Sequence, residues 1–168
     1  VVNPASANGK TGRRWPELAS LIRGRLRNFE VGFTEAPRHG VTLVREAIKA
    51  GARRIVSVGG DGTHNEAING FFEGESLLAD DLTLSIVPTG TGGDLRRTLG
   101  LPDDPLAAID CIGRNPIAVD LGRVECTAPD GQTAVEHFVN ISSFGASGLV
   151  VSLVNNASKR LGGRVSFL

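Results

Sequence analysis

Apolar residues along the chain fall into short blocks whose period switches between helical spacing and alternation. Trp15, Leu18, Leu21, Ile22 and Leu26 recur at helical spacing, which predicts an amphipathic helix over residues 13–27. Phe29, Val31 and Phe33 alternate and predict a strand ending at Thr34. Val41, Val44, Ala47 and Ile48 form a second helical stripe, closed by Gly51. Ile55-Val56-Ser57-Val58 is a short apolar run of the kind that a central parallel strand, buried on both faces, requires. Ile68, Phe71 and Phe72 mark a helix from about His64 to Phe72. Leu82 to Val87 reads as a strand stopped by Pro88, and residues 92–99 and 104–113 read as two further helices.

Strands alternating with helices of this length imply βαβ units around a parallel sheet, an α/β fold. The texture changes after residue 115. Ile117 to Val124 and Thr133 to Ile141 read as strands joined by Ala128-Pro129-Asp130-Gly131, which makes a hairpin and not a crossover. Residues 1–115 are therefore expected to form one unit and 116–168 the beginning of a β-rich second one. That second stretch is too short to bury a core of its own. The opening Val1-Val2-Asn3-Pro4, the lack of any Met and the closing run Val165-Ser166-Phe167-Leu168 all read as cuts out of a longer protein.

Composition narrows the function classes. The 168 residues carry 18 basic and 18 acidic side chains, so no basic excess marks a nucleic-acid footprint. Cys111 and Cys126 show neither metal spacing nor a disulfide framework, which fits a reducing compartment. No apolar run approaches the ~20 residues of a spanning helix. No stretch reads as a signal peptide.

Three polar or glycine-rich turns follow predicted strands: Asn3 to Lys10, Gly59 to Thr63, and Thr89 to Asp94. Ligands of open α/β sheets bind at the carboxyl ends of strands, so a parallel topology would gather these turns at one edge. Glycine allows close backbone approach, and helix N-termini with their unpaired N–H groups suit phosphate. Ser6, Thr63, Thr89 and Thr91 add hydroxyl donors. Neither a Walker A pattern nor a clean G-x-G-x-x-G is present. Asp61 is the awkward residue, because a carboxylate ~4 Å from a phosphate charge is repelled by about 4 kcal/mol at an effective dielectric of about 20. A cation between them removes the conflict, and Mg²⁺ on oxygen ligands is the natural choice. The bland alternative is that Gly-Asp-Gly-Thr is a turn and helix cap.

Gly59-Gly60-Asp61-Gly62-Thr63, followed by Asn65-Glu66 and Asn69-Gly70, resembles the central motif of the diacylglycerol kinase catalytic domain family. That family takes in bacterial lipid kinases, diacylglycerol kinases, sphingosine kinases and ceramide kinases. Asn3-Pro4 with Ser6 resembles its first nucleotide loop, and Thr34 with His39-Gly40 its second-strand threonine and following helix. Pro88 to Leu95, then Leu99-Gly100-Leu101-Pro102, resembles its Gly-Thr-x-Asn-Asp segment. Asp120-Leu121-Gly122, Phe138-Val139-Asn140 and Lys159-Arg160-Leu161-Gly162 resemble parts of its second, β-rich domain. The Gly-Gly-Asp-Gly-Thr core is shared with NAD kinases, while Asn65-Glu66 and Asn69-Gly70 belong to the lipid side.

The resemblance implies an α/β nucleotide-binding domain followed by a β-sandwich domain, with the site between them. It implies transfer of the γ-phosphate of ATP, with Mg²⁺, to a hydroxyl of a diacylglycerol-like or sphingoid lipid. Carried over to this chain, Asn3, Pro4, Ser6, Thr34, Gly59, Gly60, Asp61, Gly62, Thr63, His64, Asn65, Glu66, Gly90 and Thr91 would line the nucleotide. Asp94 and Arg97 would face the acceptor. Asp61 would carry the metal–phosphate role, directly or through water, and the general base would lie beyond Leu168. Two positions depart from the family: Gly93 stands where it usually has Asn, and Ser147 where many bacterial members have Asp. The implied partners are ATP and a lipid acceptor, with a cytoplasmic location, peripheral membrane contact and no nucleic acid. An unpaired sandwich edge would invite a homodimer. An NAD kinase-like enzyme and a nucleotide-binding module inactive as this fragment are the alternatives.

Among the remaining residues, His64 is expected on the first helical turn facing solvent, with a nucleotide contact as the alternative. His39 is expected in a turn, and His137 has no assigned role. Lys10, Arg13 and Arg14 read as a solvated cluster. Arg96 and Arg97 follow the third turn closely enough to meet phosphate, and phosphoryl transfer rests on such charge neutralisation. Trp15 reads as core.

Overall fold

A computed structural model describes residues 1–127 and 130–143. Ala128, Pro129 and residues 144–168 lie outside the described residues, and with them Ser147 and the Lys159 to Gly162 motif. The described residues form five helices: α1 Lys10–Arg25, α2 His39–Lys49, α3 Asp61–Asn69, α4 Asp94–Thr98 and α5 Pro105–Ile109. Six strands accompany them: β1 Arg54–Gly59, β2 Phe72–Glu73, β3 Ser76–Leu77, β4 Thr83–Pro88, β5 Gly122–Thr127 and β6 Thr133–Phe138.

The centre is parallel. β1 pairs with β4 from Arg54 opposite Thr83 to Gly59 opposite Pro88. Val2 bridges in parallel to Val58 on one side and Phe33 on the other. Its N–H donates to the Gly32 carbonyl and its carbonyl accepts from Thr34 N, both at 2.9 Å. The order across the sheet is therefore Phe33, Val2, β1, β4.

Period-two alternation sends the side chains of β1 to two cores. Val56 and Val58 pack with Leu18, Ile22, Val87, Ile109 and Ile112 under α1 and α5. Ile55 packs with Val44, Ile48, Ala67 and Phe71 under α2 and α3. Each core loses about 25 cal/mol per Å² of apolar surface to water if opened. This three-layer arrangement is the expected α/β fold, and Trp15 packs beside the first core, edge-to-face on Phe33 with centroids 5.7 Å apart.

Several boundaries differ from the sequence expectation. Helix α1 starts at Lys10, not 13, because Gly9 turns left-handed (φ 78°) immediately before it. It contains Pro16, whose missing N–H leaves one carbonyl of the first turns without its helical partner. The strand expected over 29–34 pairs only at Phe33, where Val2 reaches it. His39 opens α2 rather than sitting in a turn. Helix α3 starts at Asp61, not His64, because extended Gly60 presents its carbonyl to Thr63 N at 2.9 Å and His64 N at 3.1 Å. It ends before Phe71, and Phe72 enters β2. Helices α4 and α5 are five residues each, shorter than expected. Left-handed Gly93 (φ 76°) precedes α4, and Asp104 caps α5, with Pro105 at its first turn.

β5 and β6 form the expected antiparallel hairpin, from Gly122 opposite Phe138 to Thr127 opposite Thr133, but β5 runs over Gly122–Thr127 rather than from Ile117 to Val124, and β6 ends at Phe138 rather than Ile141. A side-chain amide docks this hairpin on the α/β unit. Asn69, the last residue of α3, donates to the His137 carbonyl at 2.8 Å and accepts the His137 N–H at 2.9 Å. The His137 ring stacks on Phe72 at 3.7 Å between centroids. Arg38 pairs with Glu136 at 2.6 Å at the rim of the same joint. His137, which carried no expected role, is thus the docking residue. Asn69→Ala is expected to lower stability by about 1–3 kcal/mol, the cost of leaving buried backbone groups unpaired. Urea unfolding measures that loss, and hydrogen exchange should quicken at the His137 amide.

Candidate nucleotide site at the strand ends

The pairing of Gly59 with Pro88 makes the second and third turns leave the sheet side by side. The Gly59 carbonyl accepts from Thr89 N at 2.8 Å and Gly90 N at 3.1 Å. The two turns then touch backbone to backbone. A Cβ on Gly90 would lie 2.5 Å from the Gly60 Cα, so no residue with a side chain fits there without movement. The first turn joins them through hydroxyls. Thr11 Oγ1 is 2.5 Å from Ser6 Oγ and 2.7 Å from Thr89 Oγ1, and Thr11 is fully buried.

Asp61 closes the arrangement. Its Oδ2 accepts from Gly93 N at 2.9 Å and Asp94 N at 3.1 Å, and its Oδ1 from Leu95 N at 3.3 Å. One carboxylate on the first turn of α3 therefore holds three consecutive N–H groups where the third turn enters α4. Lone-pair counting leaves one acceptor direction on Oδ1 for anything else. Among the described residues no group of three or more His, Cys, Asp or Glu is placed to cage a metal ion.

These turns border a cavity of about 360 Å³. Of the residues expected at the site, Gly59, Gly60, Asp61, His64, Gly90, Thr91 and Arg97 line it. Lys10, Arg14 and Arg96 line it too, so the cluster expected to be solvated contributes two cations to the wall. Four basic side chains face two carboxylates there, Asp61 and Asp103. That local excess suits an anion with several negative charges.

The other expected residues do not line this cavity. Ser6 lies behind it, bonded to Thr11. Asn3 donates to Thr63 Oγ1 at 3.2 Å, next to Pro4 and Gly62. The Glu66 carboxylate accepts from Arg38 N and Gly40 N, both at 2.9 Å, and so caps α2. Thr34 lies against Gly40, and Asn65 gives its carbonyl to Asn69 at 3.0 Å. Asp94 binds Arg97 at 2.5 Å. Asn3, Thr34, Thr63 and Glu66 thus form a second, linked band on the α2 side of α3.

His64 departs most from expectation. It is 1% exposed rather than facing solvent. Its Nδ1 lies 2.8 Å from Ser57 Oγ, and its Nε2 is buried with no partner among the described residues. Burial lowers its pKa from 6.5 to about 4, against an opposing pull from the Asp61 charge. The ring is neutral at pH 7. Thr11 and Asp103 escaped the sequence reading as well. Thr11 sits just ahead of the predicted helix, where a threonine looks like an ordinary cap, and Asp103 lies next to the true cap, Asp104.

A family model described as the diacylglycerol kinase catalytic domain matches residues 1–124. The chain belongs to that family. A protein of Chromohalobacter salexigens named "Probable lipid kinase YegS-like" is 33% identical over 170 residues, covering 96% of this chain and 50% of its own. A "Diacylglycerol kinase" of Bacillus subtilis is 34% identical over 130 residues, covering 71% of this chain and 38% of its own. The chain thus spans half the length of these relatives or less. A crystal structure of a diacylglycerol kinase from Bacillus anthracis str. Sterne has a similar fold, with TM-score 0.57 at 24% identity over 79% of this chain and 45% of that one. Family membership accounts for the parallel sheet and the three turns. A sandwich after the hairpin is not established by these matches.

The buried imidazole carries a pH signature. Its folded pKa, about 4, lies below the unfolded 6.5, so the unfolded chain binds the extra proton first as pH falls. Stability is unaffected by this group above pH 6.5, falls between 6.5 and 4, and levels below. The loss is on the order of 3 kcal/mol from ~1.4 kcal/mol per pKa unit. Urea titrations of the wild type and His64→Gln at pH 7, 5.5 and 4.5 check this, because the variant should lack that part of the slope.

Proposed function

We propose that the full-length protein is an ATP-dependent lipid kinase. It transfers the γ-phosphate to the hydroxyl of a diacylglycerol-like or sphingoid lipid. The observation that carries this reading is the convergence of three turns on a cavity with four cations, in a chain of the lipid kinase family. The phosphates lie among Lys10, Arg14, Arg96 and the turn backbones. The nucleoside lies across the first turn of α3 towards Asn3, Thr34 and Glu66. A Mg²⁺ carried by the nucleotide would be held by its phosphates, with Asp61 the residue of this chain able to reach it through water. Bound, it supplies charge neutralisation between the β- and γ-phosphates. The donor set fits such a hydrated ion, since Asp61 retains a single acceptor direction. Asp61 contributes by fixing the third turn against the second, and through that one oxygen direction by a water-mediated contact.

The first domain ends near residue 115, and the hairpin begins the second. The acceptor and the general base belong to that second domain, in the part of the relatives' length that this chain does not span. General-base catalysis is worth roughly 10²–10⁴-fold, and acceptor positioning is worth more. This 168-residue chain alone is therefore a nucleotide-binding unit without transfer activity. No helix among the described residues is long and apolar enough to cross a membrane. Work on a lipid then takes place by contact with a membrane surface.

The test is to incubate the full-length protein with labelled ATP, Mg²⁺ and either diacylglycerol, a sphingoid base or a mixed lipid extract. Phosphorylated lipid is expected, and labelled NADP from added NAD in its place would overturn the assignment. Asp61→Asn replaces one acceptor oxygen by an amide donor facing backbone N–H groups. Its turnover should fall by roughly 10²-fold or more, the usual penalty for misplacing reacting groups. Residues 1–168 alone should give no phosphorylated lipid.

A further inference from the structure

Gly93 occupies the position where the family usually has Asn. Its φ of 76° does not by itself demand glycine, because Asn is among the residues that adopt this region. The neighbour restricts the position further, because a side chain here would press on the Arg96 guanidinium and shift it by a few tenths of an ångström. A Cβ on Gly93 would lie 3.0 Å from Arg96 Nε, 3.3 Å from Nη2 and 3.5 Å from Cζ. The guanidinium of Arg96 fills the volume that a side chain at residue 93 would take.

The setting of Arg96 differs from that of its neighbour. Arg97 is committed to the turn itself, with Nη1 on Asp94 at 2.5 Å and Nη2 on the Gly92 carbonyl at 2.8 Å. Arg96 pairs with Asp103 at 2.9 Å, and the two partners are unequally exposed, 16% against 86%. Water solvates Asp103, so much of its charge is screened from the cavity, whereas Arg96 lies in the cavity wall. A planar, permanently charged fork held in a wall beside Lys10 and Thr91 is the geometry for recognising phosphate oxygens in pairs.

We propose that Arg96 is the phosphate-recognising cation of the third turn, and that the missing side chain at Gly93 is what seats it. The amide the family usually places here is replaced by a guanidinium reaching in from the following helix. The ligand class is the polyphosphate of a nucleotide, so this inference rests on the reading of the cavity as a nucleotide site.

The experiment is a phosphate ladder: calorimetric affinities of the full-length protein for ATP, ADP and AMP with Mg²⁺. Arg96→Gln should weaken ATP about 10- to 100-fold, the value of hydrogen bonds to a charged group, while changing AMP less than about twofold. Gly93→Asn should weaken ATP in the wild-type background and do nothing further in Arg96→Gln, because both act on one guanidinium. Arg96→Lys keeps the charge without the fork and should fall between wild type and Gln, which covers a Gln variant that fails to fold. Equal losses for ATP and AMP in Arg96→Gln, or additive losses in the double variant, would overturn the role of Arg96 while leaving the site reading in place. A wild type that binds none of the three nucleotides would overturn the site reading itself, and this inference with it.

Discussion

One carboxylate sets the geometry of the strand-end surface. Asp61 stands on the first turn of α3 and reaches three consecutive N–H groups where the third turn enters α4. Ordering a four-residue turn costs about 4–8 kcal/mol of backbone entropy at ~1–2 kcal/mol per residue. Three hydrogen bonds to a charged acceptor contribute about 5–9 kcal/mol at ~1.5–3 each. The two terms are of one size, so this contact is a main support of the third turn, beside the Gly59 carbonyl that holds its start and the Arg97 guanidinium on Gly92. The position of Arg96, the approach of Gly90 to Gly60 and the cavity between the turns all follow from it.

That contact also explains why Asp61 belongs among glycines. A side chain longer or bulkier at the neighbouring positions would keep the two turns apart, and the carboxylate would then fall short of the opposite backbone. The hydroxyls of Ser6, buried Thr11 and Thr89 do the same work for the first turn without adding charge. The chain as a whole has no net charge, yet the cavity concentrates basic groups. Sequence totals conceal this, because they do not record where charges gather; even so, Arg14 pairs with Glu17, Arg96 with Asp103 and Arg97 with Asp94.

The layered core was legible in the sequence because it depends on local period. Val56 and Val58 face one way and Ile55 the other, and the stripes of α1 and α2 match them. The three turns were legible because glycine marks them. What was not legible depends on pairs distant in sequence. Glu66 caps a helix 26 residues away at Gly40, which no local pattern records. His64 is buried because Ser57 points to the same face of the sheet, and a histidine after a glycine turn otherwise looks exposed. The start of α3 was misplaced because Gly-Asp-Gly has poor helical propensity, and extended Gly60 with the Asp61 contacts overrides it.

The Asn69 amide imitates a peptide unit, and this makes it a reader of strand parity. In an antiparallel pair, successive residues turn their backbone groups to opposite edges. His137 turns its N–H and carbonyl away from β5 and towards Asn69. A hairpin slipped by one residue would present groups already engaged with its own partner strand, and a slip of two would pull His137 off Phe72. The amide and its target are 68 residues apart, so their meeting must wait until α3 has wound and the hairpin has chosen its register. The contact therefore selects for one register: it forms fully only with the hairpin paired as it is here.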